Sequence, residues 1–336
     1  MKMQVLAQQD QNVSGSSDRR TELTALIGAC GIYRPQRTLL SLTGRDRTRW
    51  LNGMVSNNIR DLAAGNGVYA FVLTPQGHIQ ADAYAFNRGE SLTVETDRAQ
   101  AEKLLGIFRK YIIMDKVEIE DLSEKVSVIG IAGPQFPEAV ASLGLGKDLG
   151  TLQLADVNWN GITVTLVRGD NPGFPNYELW VPAEQAESIW NALLQAGAVE
   201  IHEQTLETFR ILCGIPKVGQ DTREKTLPQE TGQERALNFN KGCYIGQEIV
   251  ERIRARGAVH RAFVGFEIEG RVPAAGTKVQ SDGKEVGEIT SIAAEPFKGK
   301  RLALGYLRRE FLTTDQKLIA GEAEVKAVTL PFSGLF

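Results

Sequence analysis

The residues with the clearest chemical potential form the run Lys-Gly-Cys-Tyr-Ile-Gly-Gln-Glu at positions 241–248. Isoleucines recur at four-residue spacing from position 245, which predicts an amphipathic helix that begins around the cysteine. A thiol at a helix start beside Lys241 would favour the thiolate, because the helix N-terminus and the ammonium both supply positive charge. Gly242 and Gly246 would permit turns or close backbone approach. The run therefore makes Cys243 a candidate functional thiol, with Lys241 as its partner.

A second interpretation of Cys243 stays open on the residues alone. Cysteine is among the most buried residue types, so Cys243 could equally fill a turn as a small apolar group. The three histidines, at 78, 202 and 260, carry no motif of a general base. The three cysteines, at 30, 213 and 243, lie far apart, which predicts neither a disulfide framework nor a metal site. A reducing cytoplasm is the simplest compartment for such a chain.

Composition limits the partners that the whole surface can attract. The chain has 336 residues, 42% hydrophobic content and a net charge of -3, which gives no global attraction to nucleic acid or anionic lipid. Arginines at 45, 47 and 49 and at 252, 254 and 256 spread over several directions of their predicted helices, so direct RNA binding is not favoured. No apolar stretch approaches the roughly 20 residues that cross a bilayer. We expect no membrane span and a disordered tail over residues 1–20.

The order of the elements predicts an α+β fold. Strand pairs alternate with single helices from residue 21 to residue 258, and Thr74 to Gly77 supply the proline and glycine of a tight hairpin turn. From about residue 259 to residue 336 the pattern changes to short strands separated by turns, which predicts a closed C-terminal β-barrel of five or six strands. The irregular stretch from 217 to 240 is long enough to favour a functional role.

The run at 241–248, followed by Arg252, resembles the signature segment of the YgfZ-type folate-binding proteins. Supporting matches lie at 42–46, 50–53, 74–77, 210–216 and 286–291. The family is similar to the T-protein, or aminomethyltransferase, of the glycine cleavage system. The resemblance implies an aminomethyltransferase-like folate-binding body with antiparallel sheets and helices, a C-terminal β-barrel, and tetrahydrofolate or a derivative as cofactor. It implies that the motif residues belong to the site: Gly242, Tyr244, Gly246, Gln247, Glu248 and Arg252.

The same resemblance supplies candidate folate contacts and one departure. A glutamate on a strand and an arginine on a helix hold folate in the aminomethyltransferases, and these correspond to Glu178 and Arg210. Asn171 stands where the transferases carry a tyrosine. Their paired aspartates correspond to Gln80 and Ala81, and alanine can neither act as a base nor hold a developing charge. Without the resemblance, the glutamate and the arginine would be interpreted as an ordinary ion pair or as solvated residues.

The resemblance implies a tetrahydrofolate-binding accessory protein that supports iron-sulfur cluster assembly or repair, including in enzymes that modify transfer RNA. Its partners would be iron-sulfur proteins or their assembly factors, and Cys243 would be the essential thiol. Three cysteines are too few for an independent cluster, which needs about four ligands. Whether the chain is an enzyme stays open, because a folate-dependent one-carbon transferase could use Asp82 or the thiol instead. A third alternative is an interaction protein with a vestigial cavity.

Overall fold

The computed structural model describes residues 18–173, 175–257, 259–313 and 316–332. The prediction of a disordered tail falls mainly on residues 1–17, which lie outside the described residues. Helix α1 spans residues 18–28 and so includes three positions that the sequence placed in that tail. Its Leu23 and Leu26 pack against apolar side chains of the C-terminal barrel and of the helix that ends at Leu212.

Six further helices follow in chain order, and most agree with the predicted elements. They carry apolar side chains on one face, as the periodicity of the sequence requires. Their bounds are α2 Arg47–Met54, α3 Arg98–Tyr111, α4 Phe136–Ser142, α5 Ala186–Gln195, α6 Glu203–Leu212 and α7 Gln247–Arg256. In the described residues, none of these helices has the length and apolar character that spanning a membrane would require.

Two sheets form the body of the molecule. The first has the order β3-β4-β5-β2-β6 and the second has the order β11-β1-β7-β10-β9-β8. The strands of the first sheet are β2 Arg37–Thr43, β3 Gly67–Leu73, β4 Ile79–Asn87, β5 Leu92–Asp97 and β6 Glu118–Asp121. Those of the second are β1 Gly31–Tyr33, β7 Val126–Ala132, β8 Leu154–Trp159, β9 Ile162–Arg168, β10 Asn176–Pro182 and β11 Val199–Glu200.

The sheets and helices form four layers. Helices α2 and α3 cover the outer face of the first sheet, and α4 and α5 cover the outer face of the second. The inner faces meet each other through an apolar cluster that contains Leu39 and Phe86 from one sheet and Val167 and Trp180 from the other. Polar side chains where the two inner faces meet are therefore enclosed between the sheets.

The C-terminal part is a closed six-stranded barrel, as predicted, with the order β12-β15-β14-β13-β16-β17. The last strand pairs antiparallel with the first and so leaves no free edge. Apolar side chains such as Phe266 and Ile289 fill its interior. Its strands are β12 Arg261–Glu269, β13 Lys278–Ser281, β14 Lys284–Ile292, β15 Arg301–Arg308, β16 Leu318–Ala320 and β17 Ala323–Val328. The α+β class and the barrel predicted from the sequence are thus confirmed.

The irregular connection between α6 and α7 lies along the first sheet. It contains only short 3-10 turns, at Pro228–Glu230 and Glu234–Ala236. Ser56 Oγ donates to the carbonyl of Ala236 at 2.6 Å, and Asn57 Nδ2 donates to the carbonyl of Arg235 at 2.9 Å. These bonds hold the connection, which leads into the cysteine segment, against β3.

Candidate functional site

The segment around Cys243 differs from its predicted form. Helix α7 begins at Gln247, not at the cysteine, and Gly246 precedes it in the left-handed region with a φ of 84°. A backbone in that region cannot continue a right-handed helix, so the isoleucine spacing overestimated its length. Cys243 lies in the irregular stretch before the helix and is exposed to solvent. The interpretation of Cys243 as a buried filler of a turn is wrong.

Lys241 is turned inward, away from solvent. Its buried ammonium donates three hydrogen bonds, each 2.6 Å long, to the carbonyl oxygens of Asn52, Val55 and Asn57 at the end of α2. Burial and the neighbouring Arg60 guanidinium lower the pKa of Lys241 to about 7, while the three carbonyl oxygens favour the charged form. All three N–H groups of the ammonium therefore bond to carbonyls at the end of α2, and Lys241 anchors the cysteine segment there.

Two glycines explain why the hairpin motif and the cysteine motif occur together. Gly77 ends the turn between β3 and β4 with a φ of 75°, and a Cβ atom there would lie 2.8 Å from the Cβ of Ile249. A Cβ atom on Gly246 would lie 2.6 Å from the carbonyl oxygen of Thr74. Both distances are shorter than van der Waals contact permits. The turn and the start of α7 therefore fit together only because both positions are glycine.

The remaining motif residues divide into buried and exposed ones. Tyr244 is buried with its ring 4.8 Å from the ammonium of Lys241, and its backbone N–H donates to Gln247 Oε1 at 3.3 Å. Gly242, Glu248 and Arg252 are exposed, as is Cys243. The segment thus holds itself to the body through its inward side chains and presents the thiol outward.

A separate polar cluster lies between the inner faces of the two sheets, around Glu178. This residue is on β10, is only 8% exposed, and accepts a hydrogen bond from Trp180 Nε1 at 3.1 Å through Oε2. Glu95 on β5 is 3% exposed and hydrogen bonds with Glu178. Arg37 Nε lies 2.9 Å from Glu95 Oε1 and 3.8 Å from Glu178 Oε1. One guanidinium therefore faces two buried carboxyl groups.

The electrostatics of this cluster favour a single retained proton. Burial raises the pKa of Glu95 well above its usual range, the nearby Glu178 carboxylate adds to the rise, and Arg37 opposes it. With one proton on the pair, the charges of Arg37 and the two glutamates balance. A buried site with balanced charge avoids the large desolvation cost of an unpaired carboxylate. The raised pKa of Glu95 therefore favours the neutral form of this buried carboxyl.

Asp82 lies on the same inner face as the Glu178 cluster. It shares its side of β4 with Gln80 and Tyr84, whereas Ala81 packs in the outer core. Tyr69 O–H donates to Asp82 Oδ2 at 2.6 Å, and Gln100 Nε2 donates to Asp82 Oδ1 at 2.7 Å. Asp82 therefore faces the inner side of β4, opposite to Ala81, as neighbouring residues of a strand do.

Tyr84, on the same face of β4 as Asp82, contacts the loop that follows β9. Its hydroxyl donates to Asp170 Oδ1 at 2.8 Å, and Asp170 pairs with the guanidinium of Arg235. That guanidinium stacks over the ring of Tyr69, 4.3 Å from the ring centre. Since Tyr84 also lies directly opposite Glu95 in the strand register, these residues and the Glu178 cluster form one continuous polar lining.

The other two expected folate contacts occupy different surroundings. Arg210 donates to Glu207 at 2.6 and 2.9 Å, to Asp221 at 2.8 Å and to Ser291 at 2.8 Å, which joins α6 to the barrel. Asn171 hydrogen bonds with Cys213, whose thiol pKa burial raises to about 12. The ion pair of Glu178 is therefore with Arg37, and the structure does not pair it with Arg210.

Two family models match this chain along most of its described length. The GCVT N-terminal domain matches residues 35–241, and the glycine cleavage T-protein C-terminal barrel domain matches residues 261–332. The chain belongs to the glycine cleavage T-protein family. In this T-protein relative, the first model covers both sheets except β1, includes Asp82 and Glu178, and stops at Lys241.

Curated relatives and a solved structure agree with this membership. The aminomethyltransferase of Rubrobacter xylanophilus is 28% identical over 298 residues, covering 87% of this chain and 80% of that protein. The aminomethyltransferase of Nostoc sp. is 27% identical and covers 87% and 79%. The aminomethyltransferase T of the glycine cleavage system from Bartonella henselae superposes with a TM-score of 0.83 at 18% identity, over 93% and 88% of the two chains. This last likeness shows the shared fold.

Several lining residues were missed by the sequence argument: Arg37, Tyr69, Tyr84, Glu95, Asp170 and Arg235. A usable signal was present in β4, where Gln80, Asp82 and Tyr84 alternate with three alanines. Such alternation indicates one polar and one apolar face, but only the second sheet reveals that the polar face is enclosed. Within the described residues, no group of histidine, cysteine, aspartate or glutamate has the arrangement of a metal site.

Proposed function

We propose that this T-protein relative binds a reduced folate between its two sheets and acts as a YgfZ-type accessory protein for iron-sulfur cluster assembly or repair, including in enzymes that modify transfer RNA. The observation that supports folate binding is the enclosed carboxylate of Glu178, held by Trp180 on the inner face of β10. A carboxylate can accept the paired N–H groups of an aminopyrimidine edge. Its enclosure between sheets excludes water, which strengthens such bonds.

The proposed role of the thiol depends on its presentation. Cys243 is exposed, while Lys241 and Tyr244 beside it are buried and hold the backbone in place. The other two cysteines are buried, so neither can join this exposed thiol in holding a cluster. A single exposed thiol can share the ligation of a cluster with a client protein or exchange with a client thiol. This supports iron-sulfur proteins or their assembly factors as partners.

Titration with tetrahydrofolate under anaerobic conditions tests the folate proposal. We expect saturable binding by the wild type and a Kd raised about 10- to 100-fold in Glu178→Gln, since a hydrogen bond to a charged group is lost. Glu184→Gln, which changes an exposed carboxylate shortly after β10, serves as the control and should leave the Kd unchanged. A wild type that does not bind the ligand would refute folate binding.

Complementation in cells that lack the endogenous protein tests the thiol proposal. Cys243→Ala should lower the activity of cluster-dependent enzymes, including those that modify transfer RNA, to the level of the deletion strain. Asn240→Ala, an exposed change three residues earlier, should restore full activity and control for expression. Undiminished activity with Cys243→Ala would remove the thiol from the proposal.

The position of Asp82 favours a second candidate, folate-dependent aminomethyl transfer. Asp82 lies on the inner face of the first sheet, which is the face turned toward Glu178, and accepts hydrogen bonds from Tyr69 and Gln100. A carboxylate there could hold positive charge that develops on a folate amine. Incubation with tetrahydrofolate and an aminomethyl donor should then yield methylene-tetrahydrofolate and ammonia, and Asp82→Asn should abolish both products. The accessory-protein proposal instead expects no turnover by the wild type.

A further inference from the structure

Two consecutive apolar side chains project from the loop between α3 and β6. Ile113 is 81% exposed and Met114 is 91% exposed, whereas the other exposed large apolar side chains of the described residues, Leu194 and Leu312, reach 36% and 37%. We call Ile113 and Met114 the apolar tip. Single exposed apolar residues are ordinary on protein surfaces, but an adjacent pair that projects this far indicates a contact surface.

The loop that carries the apolar tip is fastened at both ends. Before the tip, Trp50 Nε1 donates to the carbonyl of Tyr111 at 3.1 Å. After the tip, the backbone N–H of Lys116 donates to Asp46 Oδ2 at 2.8 Å, and the backbone N–H of Asp46 donates to the carbonyl of Lys116 at 3.3 Å. A Cβ atom on Gly44 would overlap that same carbonyl oxygen, so the close approach requires glycine. The two apolar side chains are therefore held in solvent by a fixed backbone.

Exposed cations flank the apolar tip. They come from the last turn of α3, from the loop itself, and from the first turn of α2 and the residues before it: Arg109, Lys110, Lys116, Arg45 and Arg49. The carboxylates nearby are fewer, and Asp46 and Asp115 already face the guanidinium of Arg49. With Glu118 included, five cations stand against three carboxylates, in a chain whose net charge is -3. This end of the molecule is therefore locally positive.

We propose that the apolar tip docks this protein on an anionic lipid surface, with Ile113 and Met114 entering the headgroup region and the flanking cations meeting the lipid anions. The contact is peripheral, since none of the helices in the described part of the chain could span a bilayer. Apolar side chains gain by leaving water, and lysine and arginine are attracted to an anionic leaflet. Because both contributions act at the same end, they also turn the more negative remainder of the surface away from the lipid.

The shape of the apolar tip favours a lipid surface over a protein partner. A stable protein interface buries about 800 Å² on each side and is depleted of charged side chains at its centre. Here charged side chains stand directly beside the two apolar ones, which project instead of lying within a flat apolar patch. A bilayer needs no matching pocket, because lipids rearrange around an inserted side chain. The long cationic side chains can at the same time extend to the headgroups.

Flotation of the full chain with lipid vesicles tests the proposal. The wild type should bind vesicles of phosphatidylcholine with about 30% phosphatidylserine at least about tenfold more tightly than phosphatidylcholine alone, and about 0.5 M NaCl should remove this preference. The double variant Ile113→Ser, Met114→Ser should bind the anionic vesicles about tenfold more weakly, because two apolar side chains no longer leave water. Leu194→Ser, which changes an exposed leucine on α5, is the matched control and should bind as the wild type does.

Further variants separate insertion from charge. Ile113→Trp should place an indole among the lipids, so acyl-chain brominated lipids should quench its fluorescence beyond the quenching of the wild type. Arg109→Gln and Lys110→Gln should each lower the affinity for the anionic vesicles about fivefold and leave the affinity for phosphatidylcholine alone unchanged. Because all these side chains are exposed, thermal unfolding should be the same for every variant, which excludes misfolding as the cause of a loss.

Each contrary outcome identifies what fails. Binding of anionic vesicles that the double variant retains would overturn the proposal, and so would binding that salt does not weaken. A monomeric wild type that binds neither kind of vesicle would overturn it in favour of an acidic protein as the occupant of the tip. If sedimentation velocity shows self-association that the double variant abolishes, and vesicles are not bound, a second copy of this chain is the occupant and the lipid proposal fails.

Discussion

Replacing Lys241 with methionine tests whether the ammonium anchors the cysteine segment. The methionine retains most of the apolar stem but removes all three donors to the carbonyls of Asn52, Val55 and Asn57. Those carbonyls lie at and just beyond the end of α2, where a helix leaves its last carbonyls without backbone partners. The ammonium supplies both the hydrogen bonds and the positive charge that this helix end favours.

The magnitude follows from the three bonds. Each buried carbonyl left without a donor costs about 1–3 kcal/mol, and removal of a desolvated charge returns part of that sum. We expect a net loss of about 3 kcal/mol in the free energy of unfolding, which is roughly 6–9 °C in Tm for a domain of this size. A loss of this size requires that a water molecule donates to one of the three carbonyls, in the space left by the shorter methionine side chain.

Urea unfolding at pH 6, where the ammonium is charged, measures the loss for Lys241→Met. Lys103→Met, which alters an exposed lysine on α3, is the matched control and should change stability by less than about 0.5 kcal/mol. Alkylation of the native protein by iodoacetamide gives a second readout, because Cys30 and Cys213 are buried and only Cys243 is exposed. Its rate should change as the segment loses its anchor. A loss no larger than that of the control would refute the anchoring role.

Three further predictions concern other parts of the fold. The pKa of Glu95 is raised above its ordinary value of 4.5, so the unfolded chain loses this proton at a lower pH than the folded protein does. The free energy of unfolding of the wild type should therefore fall, relative to that of Glu95→Gln, as the pH rises from 5 to 8. A constant difference would contradict this sign. Gly246→Ala should cost about 1–2 kcal/mol more than Gly89→Ala in urea unfolding, since both glycines have a φ of 84° and only the first meets backbone atoms. Equal losses would show that the left-handed backbone alone matters. Glu22 raises the pKa of His202 above 6.5, so the stability from this pair is present below pH 6.5 and fades as pH rises through the folded pKa, and Glu22→Gln should flatten that dependence between pH 5.5 and 8.5.

Local sequence patterns predicted much of the fold. The elements that they did not predict are short strands, which depend on pairing with residues far away in the chain. Helices such as α3 and α6 have apolar faces that the periodicity of the sequence predicts, whatever element packs against them. Strand β11 has two residues, Val199–Glu200, and exists because it pairs with β1 from the other end of the domain. Strand β16 has three residues and forms because it pairs with β13 and β17 in the closed barrel. Such short strands carry no periodicity of their own.

The site was predicted in part, for a similar reason. The motif at Cys243 was visible, but its conformation was misread because isoleucine spacing continued across a left-handed glycine at 246. Lys241 was paired with the thiol by adjacency in sequence, whereas its ammonium finds carbonyls of residues 52–57. Glu178 and Arg210 were expected to contact folate together, whereas the guanidinium near Glu178 belongs to Arg37 at the start of β2 and Arg210 pairs with Glu207 and Asp221. Sequence neighbours are poor guides to the partners of buried charges.

Under the proposed function, the thiol and the folate site should act separately. Cys243 is exposed to solvent, whereas Glu178 is enclosed between the sheets. A solvent-facing thiol can meet a client without opening the enclosed site. We therefore expect Glu178→Gln to keep the wild-type alkylation rate at Cys243, and Cys243→Ala to keep the wild-type Kd for tetrahydrofolate. If saturating tetrahydrofolate slowed alkylation by more than about threefold, the two sites would be coupled, because folate binding would then favour a state of the protein in which the thiol is less reactive. In that case the hairpin turn that packs on α7 would be the connecting element, since β4 carries Asp82 into the enclosed space from that same turn.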